Sequence, residues 1–125
     1  MIVDTNVLSA FADGDPVVGN LLLETAEIAV PVIVLGEFRY GIRGSRHRAE
    51  YENWLAESLP AFRVLAIDED TARWYAELRF LLKRRGRPIP ANDLWIASLA
   101  RQHGLPVLSR DRHFDAVPRL KRIGW

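Results

Sequence analysis

Apolar positions along this chain follow two rhythms, and the switches between them predict the architecture. Met1-Ile2-Val3 is an unbroken apolar run that stops at Asp4, as expected of a short buried strand ending on a carboxylate. Residues 5–11 then read as a helix, with Asp4 or Thr5 as its N-cap. Asp13-Gly14-Asp15-Pro16 marks a turn, and residues 17–25 a second helix. A second strand is expected over residues 27–30, followed by Pro31, a residue tolerated in the first turn of a helix. Over residues 32–41 the apolar positions recur at helical spacing, with Val32, Leu35, Phe38 and Ile42 as the predicted buried stripe and Glu37 on a neighbouring face. Residues 45–59 predict a helix closed by Pro60, and residues 62–67 a third strand ending at Asp68.

The longest helix is expected over residues 71–85, with Trp74, Leu78, Leu81 and Leu82 on its apolar side and Gly86 and Pro88 ending it. Asp68, Glu69 and Asp70 precede it and read as N-terminal capping charges. A further helix opens at Ala91 or Asn92 and runs to His103, stopped by Gly104 and Pro106. Residues 107–109 form a fourth strand, residues 110–115 a charged loop, and residues 120–124 a final edge strand. Strands alternating with helices predict an α/β fold, a three-layer α/β/α sandwich around a central, mainly parallel sheet. Ligands in such sheets sit beyond the carboxyl ends of the strands, where Asp4 and Asp111 are expected.

Composition narrows the class. With 125 residues, 49% of them hydrophobic and 26% charged, the chain is expected to form a single domain spanning 1–125. The absence of cysteine excludes disulfides and thiolate metal sites. No apolar run approaches the roughly 20 residues needed to span a membrane, so a soluble, cytoplasmic protein is expected. The net charge of +1 says little by itself. Cations that neutralised four of the 16 acids would leave 17 basic residues against the remaining twelve, a body suited to a polyanion.

Four acids carry the chemistry: Asp4, Glu37, Asp93 and Asp111. Each has an ordinary explanation. Asp4 can cap a helix, Glu37 can be a surface residue, Asp93 can serve a helix dipole, and Asp111 shares its loop with Asp115. Together they are less ordinary, because three fall at strand ends or helix starts expected on one edge. Carboxylates gathered there repel one another unless cations neutralise them. With no cysteine, and no histidine near three of the four in sequence, the set favours a hard cation, Mg²⁺ or Mn²⁺, over Zn²⁺. Such ions support phosphodiester hydrolysis.

Four segments carry a resemblance: Ile2-Val3-Asp4-Thr5-Asn6-Val7-Leu8, Val34-Leu35-Gly36-Glu37-Phe38, Ala91-Asn92-Asp93-Leu94-Trp95-Ile96-Ala97 and Leu108-Ser109-Arg110-Asp111-Arg112-His113-Phe114. In this order and spacing they resemble PIN-domain nucleases, and specifically the VapC toxins of type II toxin–antitoxin pairs. The resemblance implies an endoribonuclease that uses metal-activated water and leaves a 5′-phosphate and a 3′-hydroxyl. It implies Asp4, Asp93 and Asp111 around the metal, with Glu37 completing the site. Thr5 or Asn6, and Ser109, match small polar residues that orient the carboxylates or a metal-bound water, and Asp115 matches an auxiliary acid or an exposed loop residue. The implied partners are an RNA substrate, a small VapB-like antitoxin and a second copy of the chain in a homodimer.

Other features stay open at this level. Arg110 and Arg112 flank Asp111 and are placed to meet a phosphate. Lys83-Arg84-Arg85-Gly86-Arg87 and the cluster Arg43, Arg46, His47 and Arg48 are either solvated helix ends or contacts for RNA or an acidic partner. Trp54, Trp74, Trp95 and Trp125 are expected mainly in packing, with some lining a partner's groove. An aspartyl phosphatase would need a second Asp where Asn6 stands, and a response-regulator receiver would need adjacent acids after the first strand. A PIN-like module that binds RNA or protein without cutting is the non-enzymatic alternative.

Overall fold

Two buried residues, Ile2–Val3 (β1), form the middle strand of the computed structural model, which describes residues 1–125. The chain continues through α1 (Thr5–Ala12), α2 (Pro16–Leu23), β2 (Ile28–Pro31), α3 (Val32–Arg43), α4 (Arg48–Ser58), β3 (Phe62–Leu65), α5 (Glu69–Arg84), α6 (Ala91–His103), β4 (Val107–Leu108) and β5 (Arg122–Ile123). Short 3₁₀ turns occupy Leu59–Ala61 and Arg112–Ala116. The sheet order is β3-β2-β1-β4-β5, and all four pairings are parallel. The result is a three-layer α/β/α sandwich, as the alternating pattern predicts. No helix is long and apolar enough to cross a membrane.

The strand order has a direct consequence for function. From β1 the chain winds outward through β2 and β3, then returns to place β4 on the other side of β1. The winding direction therefore reverses between β1 and β4, and a crevice opens beyond their carboxyl ends. Asp4 follows β1 and Ser109 follows β4, and the Asp4 amide donates to the Leu108 carbonyl at 3.1 Å.

Packing on either side of the sheet fixes these ends. Ile2, Val30, Leu108 and Phe114 belong to a single cluster of 24 buried apolar residues. An aromatic group joins α1, α3, α4 and β3: Phe11 meets Trp54 edge-on at 5.6 Å, and Trp54 also packs against Phe38 and Phe62. Trp95 stacks on Tyr75 at 4.0 Å where α5 lies along α6. These two tryptophans do the packing expected of them.

Several local expectations shift. The buried face of α3 is Val34, Phe38 and Ile42, while Val32 is exposed and Leu35 half-buried. The fourth helix starts at Arg48, because the Ser45 hydroxyl accepts from the His47 amide and holds a turn. Helix α5 begins at Glu69, two residues early, because Asp68 and Thr71 form a reciprocal capping box that carries out the capping read from the acids. Gly104 at φ 64° ends α6 in the left-handed conformation that glycine adopts without steric cost. The charged loop after β4 is a 3₁₀ turn, capped by Asp111 and anchored by fully buried Phe114.

Candidate functional site

Asp4 is fixed from several sides. Its side chain accepts from the Thr5 amide at 2.7 Å, so it caps α1 as one sequence reading expected. Its Oδ2 also accepts from the fully buried Ser109 hydroxyl at 2.6 Å and from the Asn6 amide at 3.4 Å. The capping role and the clustered role thus coexist. Only 5% of Asp4 is exposed. Burial pushes its carboxyl above the ordinary range, against the lowering effect of the Ser109 and Thr5 bonds, and the charges of Glu37 and Asp111 push the same way.

The other acids attach to this centre through short links. The Thr5 hydroxyl, on the first residue of α1, donates to Glu37 Oε1 at 3.0 Å and ties α3 to the end of β1. On the other side, Ser109 Oγ accepts from the Asp111 amide at 2.9 Å and from the Asn6 side chain at 3.3 Å. One hydroxyl therefore sets both Asp4 and the backbone of Asp111. Asp93 projects from the first turn of α6, and His113 joins it to Asp111, with Nδ1 at 2.8 Å from Asp93 Oδ2 and 2.9 Å from Asp111 Oδ1. Burial raises the Asp93 carboxyl and, with the charges of Asp111 and Asp4, outweighs the lowering contribution of His113. The His113 imidazole is raised in turn, first by its bond to Asp93.

All four predicted acids thus belong to one connected set at the switch between β1 and β4, joined by Thr5, Asn6, Ser109 and His113. No arginine or lysine forms an ion pair with any of them. One buried and three half-buried carboxylates that repel one another, with the His113 imidazole as their one basic ion-pair partner, fit a divalent cation, and the oxygen donors fit Mg²⁺ or Mn²⁺. Donor atoms of Asp93, Asp111 and His113 lie within 4.8 Å of one another, while Asp4 and Glu37 join this trio through Ser109 and Thr5 rather than standing in it. These three side chains offer carboxylate oxygens and one imidazole nitrogen.

Asp115 stands outside this set. Arg122 holds it with bonds of 2.8 and 3.2 Å and keeps its carboxyl below the ordinary range, while a third Arg122 bond, 3.1 Å long, reaches the Ser109 carbonyl. The pair braces β5 against the turn that carries Asp111. Arg110 turns its guanidinium onto the Trp125 ring at 3.5 Å, and Arg112 is exposed.

Sequence reasoning overlooked His113 and Arg122. His113 lies two residues from Asp111, a visible signal, but its second partner Asp93 is 20 residues away and only the fold brings it near. Nothing in the sequence pairs Arg122 with Asp115.

The sequence profile of the PIN domain matches residues 1–120. Ribonuclease VapC5 of Mycobacterium tuberculosis is 34% identical over 118 residues, covering 93% of this chain and 86% of that protein. Toxin FitB of Neisseria gonorrhoeae is also 34% identical, over 123 residues that cover 89% of this chain and 87% of that protein. A chain in the crystal structure of VapBC2 from Rickettsia felis, bound to a DNA fragment from their promoter, superposes with a TM-score of 0.88 at 26% identity. That superposition covers 99% of this chain and 97% of the other. The family expected from four short motifs is thus met along nearly the whole chain: this is a PIN-domain protein of the VapC toxin family.

Proposed function

We propose that this protein is an endoribonuclease that hydrolyses RNA phosphodiester bonds with the help of Mg²⁺ or Mn²⁺, and that it is the toxin of a two-gene module silenced by a small antitoxin. The observation that carries this reading is the convergence of Asp4, Glu37, Asp93 and Asp111 at the strand-order switch, with no arginine or lysine paired to any of them. Relatives named as ribonucleases and toxins, and neighbouring structures of toxin–antitoxin complexes, support the activity and the partner.

In this reading Asp4, Asp93 and Asp111 hold the cation and Glu37 completes the site. A bound divalent ion supplies a water of lowered pKa and offsets charge on the attacking and leaving oxygens of the phosphodiester. The chain's own residues supply placement. Ser109 and the Thr5 amide fix the rotamer of Asp4, and the Thr5 hydroxyl aims Glu37 into the same crevice. Asn6 braces Ser109 and also accepts from the Arg110 amide at 3.5 Å, so the small polar residues act as one scaffold. Arg112, exposed beside Asp111, meets the phosphate backbone. Products carry a 5′-phosphate and a 3′-hydroxyl. A homodimer belongs to the same proposal, and the mass of the free protein in solution tests it.

The deciding experiment incubates purified, antitoxin-free protein with total cellular RNA in Mg²⁺, Mn²⁺ or EDTA, beside Asp4→Ala and Asp93→Asn. Discrete fragments that require metal and vanish in both variants are expected. Metal-independent RNA binding without cleavage, unchanged in Asp93→Asn, would instead point to a non-catalytic PIN-like module.

A further inference from the structure

His113 is the nitrogen donor that touches two of the four acids, and the proposed function leaves its imidazole without a task. Its Nδ1 lies 2.8 Å from Asp93 Oδ2 and 2.9 Å from Asp111 Oδ1. Nδ1 carries at most one hydrogen, so a single proton faces two carboxylate oxygens at nearly equal range. An octahedral cation with bonds of about 2.1 Å sets adjacent ligands about 3.0 Å apart. Both nitrogen–oxygen separations already match that spacing.

The surrounding backbone holds the ring in place. The His113 amide donates to Asp111 Oδ1 at 2.9 Å, which closes a tight turn over the two residues. Phe114, next in the chain, is fully buried and anchors that turn to the core. About half of the His113 side chain remains exposed, against 15% for Asp93 and 33% for Asp111, so the imidazole is the most open of the three to solvent.

Building on the metal-dependent reading above, we propose that His113 is itself a ligand of the cation, joining Asp93 and Asp111 in a mixed nitrogen–oxygen face that favours Mn²⁺ over Mg²⁺. Magnesium prefers oxygen ligands and gives up its waters reluctantly, whereas imidazole nitrogen is a good donor to transition metals. From the doubly protonated ring, binding would displace the Nδ1 proton to solvent while Nε2 keeps its own; from the neutral ring, the Nε2–H tautomer would present the Nδ1 lone pair to the metal.

The test compares the wild type, His113→Ala and Asp93→Ala by calorimetric titration with Mn²⁺ and with Mg²⁺. Electron spin-echo spectra of the Mn²⁺ complexes are recorded beside them. The wild type should show ¹⁴N coupling from a directly bound imidazole, and His113→Ala should lose it. Mn²⁺ affinity should fall about 10- to 100-fold in His113→Ala, with a much smaller change for Mg²⁺. Because the ring is half-exposed, the variant should keep the wild-type circular dichroism, which separates ligand loss from unfolding. If Asp93→Ala loses Mn²⁺ while His113→Ala binds it as well as or better than the wild type, the ligand role is wrong and the cation site stands. If the wild type binds neither ion, this inference falls together with the metal-dependent reading.

Discussion

Asp4 enters the fold at the end of an apolar strand, and its burial is the largest influence on its protonation. Asp93 shares that condition less deeply. Both carboxyls sit above the ordinary carboxylate range, so the folded chain holds their protons more tightly than the unfolded chain does. The stability tied to them is fully present below the unfolded range and is lost as pH rises through the raised folded values. Asp115 and Asp68 titrate with the opposite sign, since their carboxyls are lowered and their contribution is lost as pH falls. Comparison with a variant isolates Asp4 from them. In EDTA, Asp4→Asn should gain thermal stability relative to the wild type as pH rises from the ordinary carboxylate range upward. Divalent cation should reverse that advantage by stabilising the wild type alone. Melting curves across that pH range check it, and a constant difference would show that the buried charge carries no net penalty.

At the scale of elements, the 3₁₀ turn after β4 matters more than its length suggests. It carries Asp111 and His113 on a backbone whose anchor is Phe114, with no exposed surface. Phe114→Ala should lower stability by about 3–5 kcal/mol, the usual range for an aromatic core truncation. Phe114→Leu leaves a smaller cavity and should cost less than Phe114→Ala. Urea denaturation measures both. If the turn positions the site, Phe114→Leu should still weaken Mn²⁺ binding while the protein remains folded, whereas unchanged binding would confine Phe114 to the core. This turn is also where the sequence was least legible. Its charged residues lack periodicity, so the segment reads as a loop, and nothing local announces that His113 will reach Asp93 on α6. By contrast β1 was legible because an apolar run stops on an acid, and α5 because Asp68 and Thr71 cap it by purely local bonds. The buried face of α3 lay between these cases. Val32, Ile33, Val34 and Leu35 are all apolar, so periodicity alone does not select Val34, Phe38 and Ile42 as the side facing the core.

At the scale of the whole molecule, the question is which basic residues meet RNA when the net charge is only +1. The fold divides the candidates. Arg112 and Arg87 both help to lower the Asp115 carboxyl, so the far end of the basic cluster after α5 faces the turn that follows β4. Arg84 lies in the last turn of α5 with its guanidinium over the Phe80 ring at 5.7 Å, where it complements the helix dipole. A salt series separates the two readings of that cluster residue by residue. A cleavage-deficient Asp93→Asn background allows RNA binding to be followed without turnover. For a single strand, each phosphate contact contributes roughly −0.7 to the slope of log affinity against log salt. Arg112→Ala and Arg87→Ala should each flatten that slope by about one contact and weaken binding similarly for unrelated sequences. Arg84→Ala should leave it unchanged. Fluorescence anisotropy over a salt series reads this directly. A slope that responds to Arg84 but not to Arg112 would move the RNA path off the acid site and onto the surface of α5.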